Sequence, residues 1–117
     1  MTTRVVVLCW EECRPWVSQL RQNGYSVPWV EEPKGEVHKQ IPDLHPDAVL
    51  IDLTRQPEQG REMVIDLASN EHLRETPLIV VSEKGSAARG LKSKVRNLIV
   101  ASPSSIVLAL EKALGPK

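Results

Sequence analysis

Five short apolar runs divide this sequence and set what it can fold into. They are Arg4–Cys9 (RVVVLC), Ser26–Val30 (SVPWV), Ala48–Ile51 (AVLI), Pro77–Ser82 (PLIVVS) and Asn97–Ala101 (NLIVA). Short runs rich in β-branched residues read as strands. The third is unbroken, opened by Pro46 and closed by Asp52. That suits a strand buried on both faces of a parallel sheet. Helical spacing fills the gaps. Cys13, Trp16, Val17 and Leu20 fall at i, i+3, i+4 and i+7, with Pro15 near the start and Gly24 as the stop. Met63, Val64, Leu67 and Ala68 mark a second face ending near His72. Ile106, Val107, Leu110 and Leu114 mark the last, which begins near Pro103 and stops at Gly115-Pro116.

Strands alternating with helices predict an α/β fold: a three-layer, doubly wound, five-stranded parallel sheet. Pro28 has no N–H to give a ladder, so the second strand is an edge. An outermost second strand fits the flavodoxin-like order 2-1-3-4-5, whose switch point lies between strands one and three. The tips there are Trp10 to Glu12 and Asp52. The remaining segments are less regular. Val37 and Ile41 suggest one short helix face. Thr54–Gly60 reads as a loop. Glu83–Ser93 reads as a polar loop with a weak helix broken at Gly90. Residues 1–117 read as a single domain.

Formal net charge is zero, which argues against nucleic-acid and membrane partners. No apolar run approaches the roughly 20 residues of a membrane span. The first ten residues lack the zones of a signal peptide. These features point to a cytoplasmic protein, where Cys9 and Cys13 are reduced thiols. With no Phe and one Tyr, the core must be aliphatic.

The phrase PDAVLIDL, Pro46–Leu53, resembles the end of strand three in the receiver domain of bacterial two-component response regulators. The resemblance extends over essentially the whole chain. A Gly follows the Asp by eight residues, at Gly60. Ser82 ends PLIVVS thirty residues after Asp52. Two departures make it similar to a degenerate, pseudo-receiver variant. The family's Lys-Pro after strand five is Ser102-Pro103, and the proline four residues after the Asp is displaced to Pro57. The resemblance implies Asp52 as phosphoacceptor, Ser82 and Ser102 as switch positions, and Glu11, Glu12 and Asp52 as ligands of a weakly bound Mg²⁺. It implies a stand-alone signalling and protein-interaction domain, not an enzyme beyond self-phosphorylation from a phosphodonor. Its partner is a kinase or an output protein, or a second copy in a homodimer. The basic stretch of Lys84, Arg89, Lys92, Lys94 and Arg96 places that partner on the face around Lys84–Ala101.

Phosphoryl transfer to a carboxylate is mostly positioning and charge neutralisation. Ser102 donates only a neutral hydrogen bond where the family has an ammonium, about half as strong. Phosphorylation at Asp52 is therefore expected to be reduced or lost. Plainer roles stand beside these: Asp52 capping the loop that follows it, Ser102 capping a helix, Glu11 and Glu12 favouring a helix N-terminus. Two further readings remain. One is a phosphorylatable single-domain regulator. The other is a thiol-dependent enzyme using Cys9, which stands where a strand meets a helix N-terminus. His38, His45 and His72 lack ligand spacing. No glycine-rich phosphate loop follows strand one, which argues against a nucleotide-binding domain.

Overall fold

The computed structural model describes residues 3–10, 14–31, 41–54, 57–82, 90–91, 95 and 98–114. Four core strands, β1 (Val5–Cys9), β3 (Ala48–Asp52), β4 (Leu78–Val81) and β5 (Leu98–Ala101), form a parallel sheet, and β2 (Trp29–Glu31) adds three residues at one edge. The order is β2-β1-β3-β4-β5. Register runs straight across the middle: Leu8 pairs with Ile51, Asp52 with Val81, and Val81 with Ala101.

Side chains alternate across the sheet, as a strand's period of two dictates. Val6, Leu8, Val49, Ile51 and Val80 face one side, where α2 (Pro57–Ala68) covers them with Met63, Val64 and Leu67. Val5, Val7, Leu50, Ile79 and Val81 face the other. There α1 (Arg14–Gln22) contributes Val17 and Leu20, and α3 (Ile106–Leu114) contributes Ile106 and Leu110. Burial of each such side chain stabilises by about 1.5–3 kcal/mol.

The helix after β3 begins earlier than composition predicts. Thr54–Gly60 reads as loop, yet α2 starts at Pro57. Proline suits a first helical turn because its missing N–H needs no partner there, and Glu58 favours the positive end of the dipole. Ser26–Val30 is shifted rather than uniform: the strand proper is Trp29–Glu31, preceded by an isolated bridge from Ser26 to Arg4. Pro28 sits between them and accepts from the Val7 N–H at 3.1 Å. A proline can accept on a ladder but not donate.

Val37, the other residue of the expected short helix face, lies outside the described residues, and only Ile41 is placed. It opens a 3₁₀ turn, Ile41–Leu44, and is fully buried. Ala68 is exposed, so the apolar face of α2 is narrower than its spacing suggests. A 3₁₀ turn, Pro103–Ser105, precedes α3. Ala109 of α3 is buried and Leu108 is 53% exposed. Val107 and Leu114 only pack partly against the core. Gly24 ends α1 as its position implies, at φ 88°, with its N–H bonded to Arg21 O at 3.0 Å. No helix among the described residues is long and apolar enough to cross a membrane.

Candidate functional site at the carboxyl ends of the strands

Asp52, Ser82 and Ser102 stand at or one residue beyond the carboxyl ends of three adjacent strands, β3, β4 and β5. The backbone locks that alignment. Leu53 N–H donates to Val81 O at 2.9 Å, and Ser82 N–H donates to Ala101 O at 2.9 Å. Three positions twenty or more residues apart in sequence are thus brought to one rim. Asp52 is only 2% exposed and Ser82 6%.

The Asp52 carboxylate is engaged locally. Its Oδ1 accepts from the Thr54 N–H at 2.7 Å and from the Thr54 hydroxyl at 2.6 Å. A carboxylate bonding a backbone N–H two residues on turns the chain and secures the exit from the strand. In the sequence Thr54 stands only as the first residue of a polar loop. The D-x-T spacing is its only trace there.

Ser102 is committed to the start of the helix that follows. Its N–H donates to Ser105 Oγ at 3.0 Å, and its hydroxyl lies 2.9 Å from Ser105 Oγ and 3.1 Å from Ser104 Oγ. The Ser105 N–H donates to Ser102 O at 3.0 Å. These contacts fit a helix-capping serine.

Gly60 packs this end of the sheet tightly. A Cβ built on it would lie 2.9 Å from the Asp52 carbonyl oxygen and 2.4 Å from Leu53 Cδ2. The space beyond is closed by Trp10, whose Cζ3 would be 3.6 Å away. The glycine eight residues after Asp52 therefore has a steric reason: β3, α2 and the tip of β1 meet there.

Cys9 ends β1, one residue beyond Leu8, which pairs with Ile51. It is fully buried, as its strand position predicts. It is not a reduced thiol, however. Cys9 is disulfide-bonded, and the sequence holds one other cysteine, Cys13, outside the described residues. A disulfide sulfur is not a thiolate, so a nucleophilic Cys9 does not fit this structure.

Glu11 and Glu12 lie outside the described residues, as do Lys84, Arg89, Lys92, Lys94 and Arg96 of the expected partner face. Within that segment Leu91 and Val95 are buried, and the Val95 N–H donates to Leu91 O at 2.8 Å, one helical step. Among the described residues no three His, Cys, Asp or Glu side chains gather as metal ligands. Magnesium takes near-octahedral oxygen coordination. Asp52, with one oxygen already bonded to Thr54, does not by itself make such a site.

No family model and no curated protein matches the sequence. Solved structures do. A response-regulator receiver domain, CheY-like, from Methylobacillus flagellatus is 15% identical, with a TM-score of 0.76 over 97% of both chains. The receiver domain of a sensor histidine kinase from Pseudomonas aeruginosa is 18% identical, with a TM-score of 0.74 over 99% of this chain and 100% of that one. That structure holds a magnesium ion in its active-site cleft. A receiver protein from Sinorhizobium medicae is 18% identical, with a TM-score of 0.67, covering 96% of this chain and 94% of its own. Identity this low speaks for architecture and not for chemistry. Strand order, the buried Asp52 at the central strand's end and this whole-length likeness together assign the chain the fold of response-regulator receiver domains.

Proposed function

We propose that this chain is a receiver-like signalling domain that works by binding a protein partner, with Asp52 phosphorylation reduced or lost. The observation that carries the reading is the state of the rim. Asp52 Oδ1 is held by both donors of Thr54, and the residue after β5 is Ser102, whose hydroxyl is taken up by Ser104 and Ser105.

The chemistry follows from charge. A phosphoryl group on Asp52 would place a dianion at a position 2% exposed to water. Burying charge is costly unless it is paired. An ammonium after β5 would pair it; a serine engaged in capping does not. Losing one such electrostatic stabiliser costs about 10²–10³ in rate, by analogy with oxyanion-hole deletions. Thr54 makes Asp52 useful without phosphate, since a capped strand exit keeps the rim rigid. Magnesium, where Glu11 and Glu12 join Asp52, would supply charge neutralisation. The partner face in this reading is the segment Lys84–Ala101 with α3, where exposed Leu108 adds apolar surface.

The test is incubation with acetyl phosphate and Mg²⁺, read by intact-mass spectrometry. Most of the protein is expected to stay unmodified. Near-complete addition of one phosphoryl group, abolished by Asp52→Asn, would instead establish a phosphorylatable regulator.

A further inference from the structure

Among the described residues, both hydrogen bonds to the Asp52 carboxylate fall on Oδ1, and both come from Thr54. The bond from the Thr54 N–H belongs to the turn itself, which any residue after Leu53 could make. The bond from the hydroxyl, at 2.6 Å, depends on the side chain at position 54 alone. Resting on the reading of Asp52 as a weakened phosphoacceptor, we propose that the Thr54 hydroxyl is an autoinhibitory contact: it holds the carboxylate in a poorly reactive state, and its loss speeds phosphoryl uptake.

Charge decides the direction. In the free carboxylate both oxygens share the negative charge, and the Thr54 hydroxyl donates to one of them in a short, charge-assisted bond. Uptake from an acyl phosphate has Oδ2 attack the phosphorus. The Oδ2–P bond forms, the P–O bond to the donor's acetate breaks, and acetate leaves with that electron pair. Oδ1 is then the carbonyl oxygen of a mixed anhydride, a neutral acceptor whose hydrogen bonds are about half as strong. The hydroxyl thus stabilises the starting carboxylate more than the transition state, and a contact of that kind slows a reaction. Attack through Oδ1 would have to break the Thr54 bonds first.

The surroundings keep the contact in place. Asp52 is 2% exposed, so water offers the carboxylate little in exchange for the hydroxyl. The chain between the two residues is pinned, because the Leu53 N–H donates to Val81 O at 2.9 Å. Thr54 is half-buried, and a β-branched side chain has few rotamers to swing into. A purely structural Thr54 predicts the opposite sign, since a loosened strand exit positions the carboxylate less well and slows uptake.

The experiment compares initial rates of phosphoryl uptake by the whole chain from acetyl phosphate with Mg²⁺, read by intact-mass spectrometry. Thr54→Val removes the hydroxyl and keeps the branched shape. Its rate is expected to be about three- to tenfold above the parent's, part of the worth of one hydrogen bond to a charged group. Thr54→Ser keeps a hydroxyl and should return the rate toward the parent's. Asp52→Asn placed in the Thr54→Val background should abolish the gain, which assigns it to Asp52. Thr54→Ala, which also lacks the hydroxyl, repeats the comparison should Thr54→Val fail to fold. Near-complete modification of the parent would sink the reading of a weakened acceptor, and the ratio of Thr54→Val to parent would still decide for or against the hydroxyl. A ratio of one or less, or no uptake by either variant lacking the hydroxyl, overturns the inference.

Discussion

Gly60 and Thr54 act on Asp52 from its two sides. The Gly60 position leaves no room for a methyl group, because the Asp52 carbonyl is backbone and cannot swing away. Gly60→Ala should therefore destabilise by about 1–3 kcal/mol, the usual cost of overpacking, measured as a lower urea midpoint with unchanged slope. A midpoint equal to the parent's would mean that β3 and α2 are less tightly joined than described. Thr54→Val removes the hydroxyl donor while keeping the shape. It should cost about 1 kcal/mol or more, since a buried carboxylate oxygen loses a short hydrogen bond. Asp52→Asn keeps an acceptor for both Thr54 donors and should cost less than Asp52→Ala. If the two cost the same, the Thr54 contacts are not what Asp52 contributes.

At the level of elements, a disulfide ties down the carboxyl end of β1 at Cys9. A bond from Cys9 to Cys13 would close a loop of five residues, and the chain-entropy estimate for so short a loop is about 2 kcal/mol. Reduction with a dithiol should lower stability by about that amount, and Cys9→Ala by at least as much. Thiol counting under denaturing conditions, before and after reduction, checks the premise; two reactive thiols in protein never exposed to reductant would remove it. Tyr25, just beyond α1, gives the fold a pH dependence. Burial, and secondly the negative charge of Glu111 on α3, raises its pKa above the ordinary 10.0. The folded state then keeps the phenolic proton to higher pH than the unfolded chain does. This stability is fully present below pH 10 and is lost as pH rises through the folded value. Tyr25→Phe should flatten the alkaline fall in the chemical-denaturation midpoint. An unchanged slope would assign that fall to other groups.

At the scale of the whole molecule, a working switch would carry a change at Asp52 to the carboxyl end of β5 at Ser102. A ligand moves a two-state equilibrium only by its differential affinity for the two states. With Ser102 tied to Ser104 and Ser105, phosphate at Asp52 has little to pull on at β5. Beryllofluoride with Mg²⁺ should therefore leave the amide shifts of residues 98–101 nearly unchanged. Large shifts extending into β5 would show an intact switch and favour the phosphorylatable regulator over the constitutive binder. Partner binding, once a partner is captured, should likewise survive Asp52→Asn and weaken when Arg89 and Lys92 are both reversed to Glu.

Local patterning determined a good deal here. Runs such as AVLI and LIVV needed no context to be read as buried strands, because an unbroken apolar run has no face that prefers water. Pro28 fixed an edge strand, and Gly24 a helix end, through backbone chemistry confined to one residue. Asp52, Ser82 and Ser102 were legible as strand-end positions for the same reason. What the tertiary structure decided depends on groups distant in sequence or on bonds no periodicity encodes. Thr54 closing on Asp52, Cys9 in a disulfide, and Gly60 inside α2 because β3 and Trp10 leave no volume there are all of this kind. Sequence patterns report which side of an element prefers to leave water. Only the packed chain settles which polar groups then face one another, because those contacts are fixed by where the elements cross.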